Sequence, residues 1–306
     1  MRGLLYLFTG VLLLVAACQQ TSPPQQETKA PTQLPERTST PTVSPLIEYQ
    51  QFLAKLDSGD VTSVSKAADK YTSLFKGQPS SMADSGYVIF EKFYRRVDNT
   101  INEIHFQDST DYKPLVLVYD EPNPLALTQK LKDYNNKMIA NGFEVDMTEG
   151  ATYLKQDRDF IAKHFYSFIS PVLKEYLVQV NKDHKEGFSE DGGLTISPVQ
   201  LADRVIWREN FLRKHPDFIF RKSAESERKS YLATLFEGMD NTPVLSFEDG
   251  KLDPSYAEAY QYLQKKAPQS PASKLIKPYF AALQKQDTSK ANSLLTLYKL
   301  DGLVGY

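Results

Sequence analysis

Side chains able to carry acid–base, nucleophilic or metal chemistry are sparse and scattered along the 306-residue chain. The four histidines, His105, His164, His184 and His215, fall on separate stretches, with no pair at the i, i+4 spacing that lets one helix present two imidazoles to a metal. The single cysteine, Cys18, excludes an internal disulfide and any Cys-rich zinc or iron–sulfur centre, and leaves the rest of the chain without a thiol nucleophile. The G-x-S-x-G, H-E-x-x-H, G-x-x-x-x-G-K and G-x-G-x-x-G patterns are absent. The segment 181–187 superficially suggests a calcium loop, but Lys185 stands where an oxygen ligand belongs and Glu186 where glycine is required. The sequence therefore calls for no cofactor and no metal.

Carboxylates, hydroxyls, Lys and Tyr remain. Glu149, Asp157 and Asp159 gather around an expected turn, with Arg158 among them. A facing pair would serve as general acid and base in glycan hydrolysis, although Asp157 is also positioned to cap a helix. Two turns stand out as binding candidates. One is Glu149–Gly150 with Tyr153. The other spans 238–243, where Asp240 and Asn241 offer hydrogen-bonding groups to a ligand or to the local backbone. The 17 Phe and 18 Tyr fall mostly at helical spacing, which reads as core. A net charge of −2, with 24 % charged residues, supplies no field that would draw nucleic acid.

The elements that must position these groups are mainly helical. Tyr49, Phe52, Leu53 and Leu56 follow the i, i+3, i+4, i+7 rule. A second stripe runs from Val61 to Phe75 after Asp60, and a third over about 82–104 from Phe90 to Ile104. The β-branched, apolar run Leu115–Tyr119, bounded by Pro114 and Pro122, has the composition of a short strand, but periodicity alone does not decide between strand and helix. A helix ends near Asn141–Gly142, and then the period changes to two: 143–155 reads as a β-hairpin turning at Glu149–Gly150, with Phe143, Val145, Met147, Ala151 and Tyr153 as its apolar positions. Polar residues 181–196 read as a loop. Ser170–Pro171, Ser197–Pro198, Asp253–Pro254 and Ser270–Pro271 each look like a cap followed by proline at the first helical position, and Gln200 completes a capping box with Ser197. The sum is a mainly α body of roughly ten packed helices, arranged as helical hairpins, with one small β-hairpin insertion.

The N-terminal segment is of another kind. Met1–Arg2 is followed by an apolar run from Leu4 to Val15 and then by small residues. That is the order of a secretory signal peptide, too short for a spanning helix. The run Val15-Ala16-Ala17-Cys18 resembles a bacterial lipobox. The resemblance implies diacylglycerol on the Cys18 thiol, cleavage before Cys18, and often acylation of the new amino group. Gln19, where Asp would favour inner-membrane retention, points to the outer membrane if the source has two. Residues 19–45 hold 6 Pro, 6 Thr, 5 Gln and 3 Ser and no aromatic residue. Such a segment buries too little to offset its ordering entropy, and its prolines stiffen it toward polyproline II, giving a tether reaching roughly 80 Å.

The organisation expected is thus a signal peptide at 1–17, the lipidated cysteine and tether at 18–45, and a helical body at 46–306 with a candidate seam near 181–196. Within the body, residues 261–283 resemble the junction between helical repeats of the tetratricopeptide type, where an aromatic–Leu helix end meets Pro-x-Ser. Phe211–Asp217 echoes that helix end. The two prolines, Pro216 and Pro268, lie 52 residues apart rather than at a repeat period of about 34.

A lipid anchor, a stiff stalk and a body without catalytic motifs imply a cell-envelope module that binds an envelope protein, peptide or glycan. The alternative is an envelope hydrolase working through carboxylates. If the lipobox reading holds, Cys18→Ala releases the protein from the membrane fraction or leaves it as unprocessed precursor; a wild-type mature chain with an unacylated N-terminus away from position 18 contradicts it, and mass spectrometry of the purified protein decides.

Overall fold

The computed structural model describes residues 44–117 and 127–305. Cys18, the signal segment, most of the tether and Tyr119 lie outside the described residues. Within them the chain is mainly α, with twelve helices and three two-stranded antiparallel hairpins.

The N-terminal half is built on α1 (Pro45–Leu53), α2 (Thr62–Phe75) and α3 (Ser80–Gln107), each packing against the other two. Their apolar stripes converge on an aromatic core. Phe165 of α6 (Arg158–Phe165) has its ring 4.4 Å from that of Phe90 and 4.6 Å from that of Tyr71. Buried tyrosines need a partner for each hydroxyl, and they find carbonyls. Tyr49 donates to Ala67 O at 2.9 Å, Tyr71 to Ala83 O at 2.9 Å, and Tyr94 to Gly142 O.

Of the run at 115–119, the described residues 115–117 are not a strand. Residues 114–117 form one helical turn, α4 (Pro114–Leu117). Proline at its first position suits a helix start, and the amides of Leu115, Val116 and Leu117 turn back onto the Tyr112 and Lys113 carbonyls. A strand there would need a ladder, and none of the described sheets includes it. Leu115 packs instead with Tyr112 and with Leu131 of α5 (Gln129–Ala140).

β1 (Phe143–Thr148) and β2 (Ala151–Gln156) form the expected hairpin, with Glu149 at φ 48° and Gly150 at φ 77°, both left-handed as a two-residue turn of this type needs. The register pairs Val145 with Leu154 and Asp146 with Tyr153. Tyr153 therefore shares a face with Asp146, and the core position on β2 is Leu154. Reading Ala151 and Tyr153 as the apolar face was one residue out, and a one-residue shift moves every side chain across the sheet. Asn102 of α3 pins the free edge of β2: its amide side chain donates to Leu154 O and accepts from Leu154 N, both at 2.8 Å, in place of a neighbouring strand.

Residues 181–196 are also more ordered than a loop. α7 (Pro171–Glu186) runs on to Glu186, and β3 (Ser189–Glu190) and β4 (Gly193–Leu194) then turn at Asp191–Gly192. α8 (Pro198–Lys214) opens with the capping box of Ser197 and Gln200. It packs against α9 (Arg221–Glu237) and α10 (Pro254–Lys266), while α10 packs on α11 (Pro271–Gln284) and α11 on α12 (Thr288–Leu300). Between α9 and α10 lies a third hairpin, β5 (Gly238–Met239) with β6 (Thr242–Pro243). Besides the small cluster at Tyr112, Leu115 and Leu131, two large hydrophobic clusters divide the body. Phe211 and Leu212 of α8 and Ala224 of α9 belong to the first, Leu201, Val205 and Leu232–Phe236 to the second, so the change of core falls along α8 and α9.

One contact fixes how α2 meets α3. The Phe75 ring lies where a side chain at Gly86 would stand, with ring carbons 2.5–2.9 Å from an added Cβ. Alanine ordinarily gains about 0.5–1 kcal/mol over glycine inside a helix. Here Gly86→Ala is expected to destabilise by about 1–3 kcal/mol through overpacking. Denaturant unfolding reads the sign directly, and a stabilised variant contradicts this packing.

Candidate functional site

Hairpin β1–β2, the C-terminal half of α7, the β3–β4 hairpin and the facing sides of α8 and α9 enclose a cleft of about 490 Å³. Its floor is ionic. Arg204 and Arg208, one turn apart on α8, are only 2 % and 1 % exposed. They sit on the same buried stripe as Leu201, Val205 and Leu212. Charge at that depth must be compensated. Asp183 of α7 meets both: its Oδ1 is 3.3 Å from Arg204 Nε, and its Oδ2 is 2.8 Å from Arg208 Nη2. Gln179 also donates to Asp183 at 2.8 Å. Glu227 of α9 accepts from Arg208 Nε at 2.9 Å and from Tyr176 at 2.7 Å. Arg204 Nη2 donates to the Gly187 carbonyl at 2.7 Å and the Asp183 carbonyl at 3.0 Å, so it also closes the C-terminus of α7. The Tyr231 ring lies over both guanidiniums, at 5.6 and 4.6 Å.

The rim carries the aromatic and hydroxyl groups. Tyr153, 37 % exposed, stands beside Asp146, and the Phe188 ring is 5.3 Å from that of Tyr231. Lys155 bridges Asp146 at 2.9 Å and Glu144 at 3.5 Å. Burial pushes the Asp146 carboxyl up, but hydrogen bonds from Lys155 and the Met147 amide outweigh it and leave it below the usual range. His184 is pushed below its ordinary value, first by desolvation and then by the positive Arg158 and Lys155, so it is neutral at pH 7.

The residues singled out in the sequence are dispersed by the fold. Tyr153 lines the cleft, while Glu149 is exposed at the tip of its hairpin. Asp157 caps α6 by accepting from the Asp159 amide, and Asp159 pairs with Lys185 at 2.8 Å. Asn241 donates its backbone amide to Gly192 O at 2.8 Å and its side chain to Asp191 O, while Thr242 accepts from Leu194 N at 2.8 Å. The turn holding Asp240 and Asn241 therefore braces the β3–β4 hairpin, whose Ser189 and Glu190 line the cleft. His105 accepts or donates to Tyr134 at 2.7 Å and Thr152 at 3.1 Å and stacks on Tyr112. The His164 ring lies tilted against that of Phe160 with centroids 4.3 Å apart, and His215 approaches Glu175 at 3.7 Å. The carboxyls that burial raises, Asp98 and Glu209, lie elsewhere: Asp98 is bonded to Asn102 and Gln156, and Glu209 to the Ala272 amide at the start of α11. Among the described residues no group of three His, Cys, Asp or Glu is arranged to hold a metal ion, and no helix is long and apolar enough to cross a membrane.

Compared with known protein families, with curated proteins and with solved structures, the chain matches none. The case for a site rests on its own geometry. Asp183, Arg204, Arg208, Glu227 and Tyr231 were not among the sequence candidates. Their signal was charge inside an apolar stripe: Arg204 and Arg208 among Leu201, Val205 and Leu212, and Asp183 one and two turns beyond Val180 and Tyr176.

Removing one partner from this floor leaves buried charge uncompensated. Asp183→Ala is expected to cost about 3–5 kcal/mol, against under about 1 kcal/mol for Lys185→Ala, which breaks an exposed pair. Thermal and denaturant melts of the two variants check the contrast.

Proposed function

We propose that this is a cell-envelope lipoprotein, anchored through acylated Cys18 and held off the membrane by its Pro-rich tether, whose helical body binds a peptide or glycan component of the envelope in the cleft between β1–β2 and α7–α9. With Gln19 after the cysteine, the outer membrane is the favoured location in a two-membrane source. The observation that supports binding over catalysis is the pairing of the floor. Arg208 Nη2 lies 2.8 Å from Asp183 and 2.9 Å from Glu227, so the two innermost carboxylates face one guanidinium. A glycosidase-type acid and base must each face substrate or water across the scissile bond. What the cleft offers is shape, ring faces and hydrogen-bonding groups, which are the means of a binding pocket.

The test uses the full-length protein in detergent, sedimented with purified cell walls and in parallel assayed for released glycan or peptide fragments. Saturable co-sedimentation without fragment release is the expected result. Turnover by the wild type that disappears in a folded amide variant at Asp146, Asp183, Glu190 or Glu227 overturns the binding reading in favour of the hydrolase.

A further inference from the structure

The cleft is lined by charge, yet nearly all of that charge is already matched within the protein. Lys155 is paired with Asp146 and Glu144, Arg204 with Asp183 and Glu186, and Arg208 with Asp183 and Glu227. An anionic ligand would have to break one of these pairs or sit beside the carboxylate of Glu190, and inside a partly desolvated pocket both are costly. An uncharged polar ligand meets neither obstacle.

Two groups at the rim are left over to recognise it, while the buried guanidinium of Arg204, whose Nη1 has no hydrogen-bond partner among the described residues, is closed to solvent beneath them. Glu190, on the β3–β4 hairpin at the rim, forms no ion pair among the described residues and offers a carboxylate to hydroxyl donors. His184, neutral at pH 7, adds one donor and one acceptor. Beside them stand the rings of Tyr153, Tyr231 and Phe188. A pyranose has the matching surface: hydroxyls around its edge and an apolar C–H face that lies flat on an aromatic ring.

Building on the binding reading above, we propose that the ligand of this cleft is a neutral glycan segment rather than an acidic peptide, with a hydroxyl donating to Glu190, a second polar contact to His184, and a sugar face on Tyr153. The volume, about 490 Å³, accommodates a short oligosaccharide. Because the interaction involves no net charge transfer between partners, its affinity is nearly independent of ionic strength.

Calorimetric titration of the full-length detergent-solubilised protein tests this, with a soluble β-1,4-linked N-acetylglucosamine oligomer as one probe and a peptide carrying both Lys and Glu as the other. The expected result is saturable binding of the sugar that shifts by less than about twofold between low and high salt. Tyr153→Ala and Glu190→Gln, both at exposed positions and both melting like the wild type, should each weaken it by about tenfold. Binding of the peptide and not the sugar overturns the glycan assignment and leaves the binding reading standing. Sugar binding untouched by both variants overturns the placement in this cleft. Binding of neither probe, with no co-sedimentation on cell walls, overturns both proposals.

Discussion

Two guanidiniums buried side by side on α8 are the constraint around which the centre of the body is arranged. Arg204 and Arg208 cannot be inside the protein without anions at close range, and those anions come from different elements, Asp183 and Glu186 from α7 and Glu227 from α9. Such a network adds little net stability, since desolvation offsets most of its attraction, but any arrangement of the three helices that separates the partners is heavily disfavoured. Electrostatic matching therefore sets the mutual register of α7, α8 and α9. Apolar packing of Leu201, Val205 and Leu212 would tolerate more than one. The same matching leaves a polar recess above the network, because side chains that converge on a charged floor do not close over it with hydrocarbon.

Above that floor the cleft depends on short hairpins braced by polar contacts. β1–β2 is held along the free edge of β2 by Asn102 and presents Asp146, Tyr153 and Lys155 to the cleft. β3–β4 is too short to hold its shape alone, and the β5–β6 turn supplies what it lacks through Asn241 and Thr242.

Much of this was legible in the sequence wherever local chemistry decides local structure. Ser170, Ser197, Asp253 and Ser270 before proline gave the helix starts, because cap oxygens and a missing N–H act within one turn. Glu149–Gly150 marked its hairpin for the same reason. The errors and ambiguities arise where a distant partner decides. The run at 115–117 has strand composition, but no described strand pairs with it. Tyr153 has the composition of a core residue, yet the pairing of Val145 with Leu154 turns it outward into the cleft. The floor of the candidate site was illegible for a related reason: an arginine on an apolar stripe declares a buried charge, but not which carboxylate on which other helix answers it. Asp240 and Asn241 stand out in the sequence for their hydrogen-bonding groups, and those of Asn241 serve the neighbouring hairpin.

The close seat of the Phe75 ring on Gly86 has a consequence for how this sequence can vary. Neither position is free to drift alone: a larger residue at 86 collides with the ring, and a smaller one at 75 leaves a void against α3. Divergence along this lineage is therefore expected to change the two together, a ring with glycine or a shorter side chain with alanine, and such a correlated pair in a set of relatives would mark the α2–α3 interface even where the rest of the sequence has lost all resemblance.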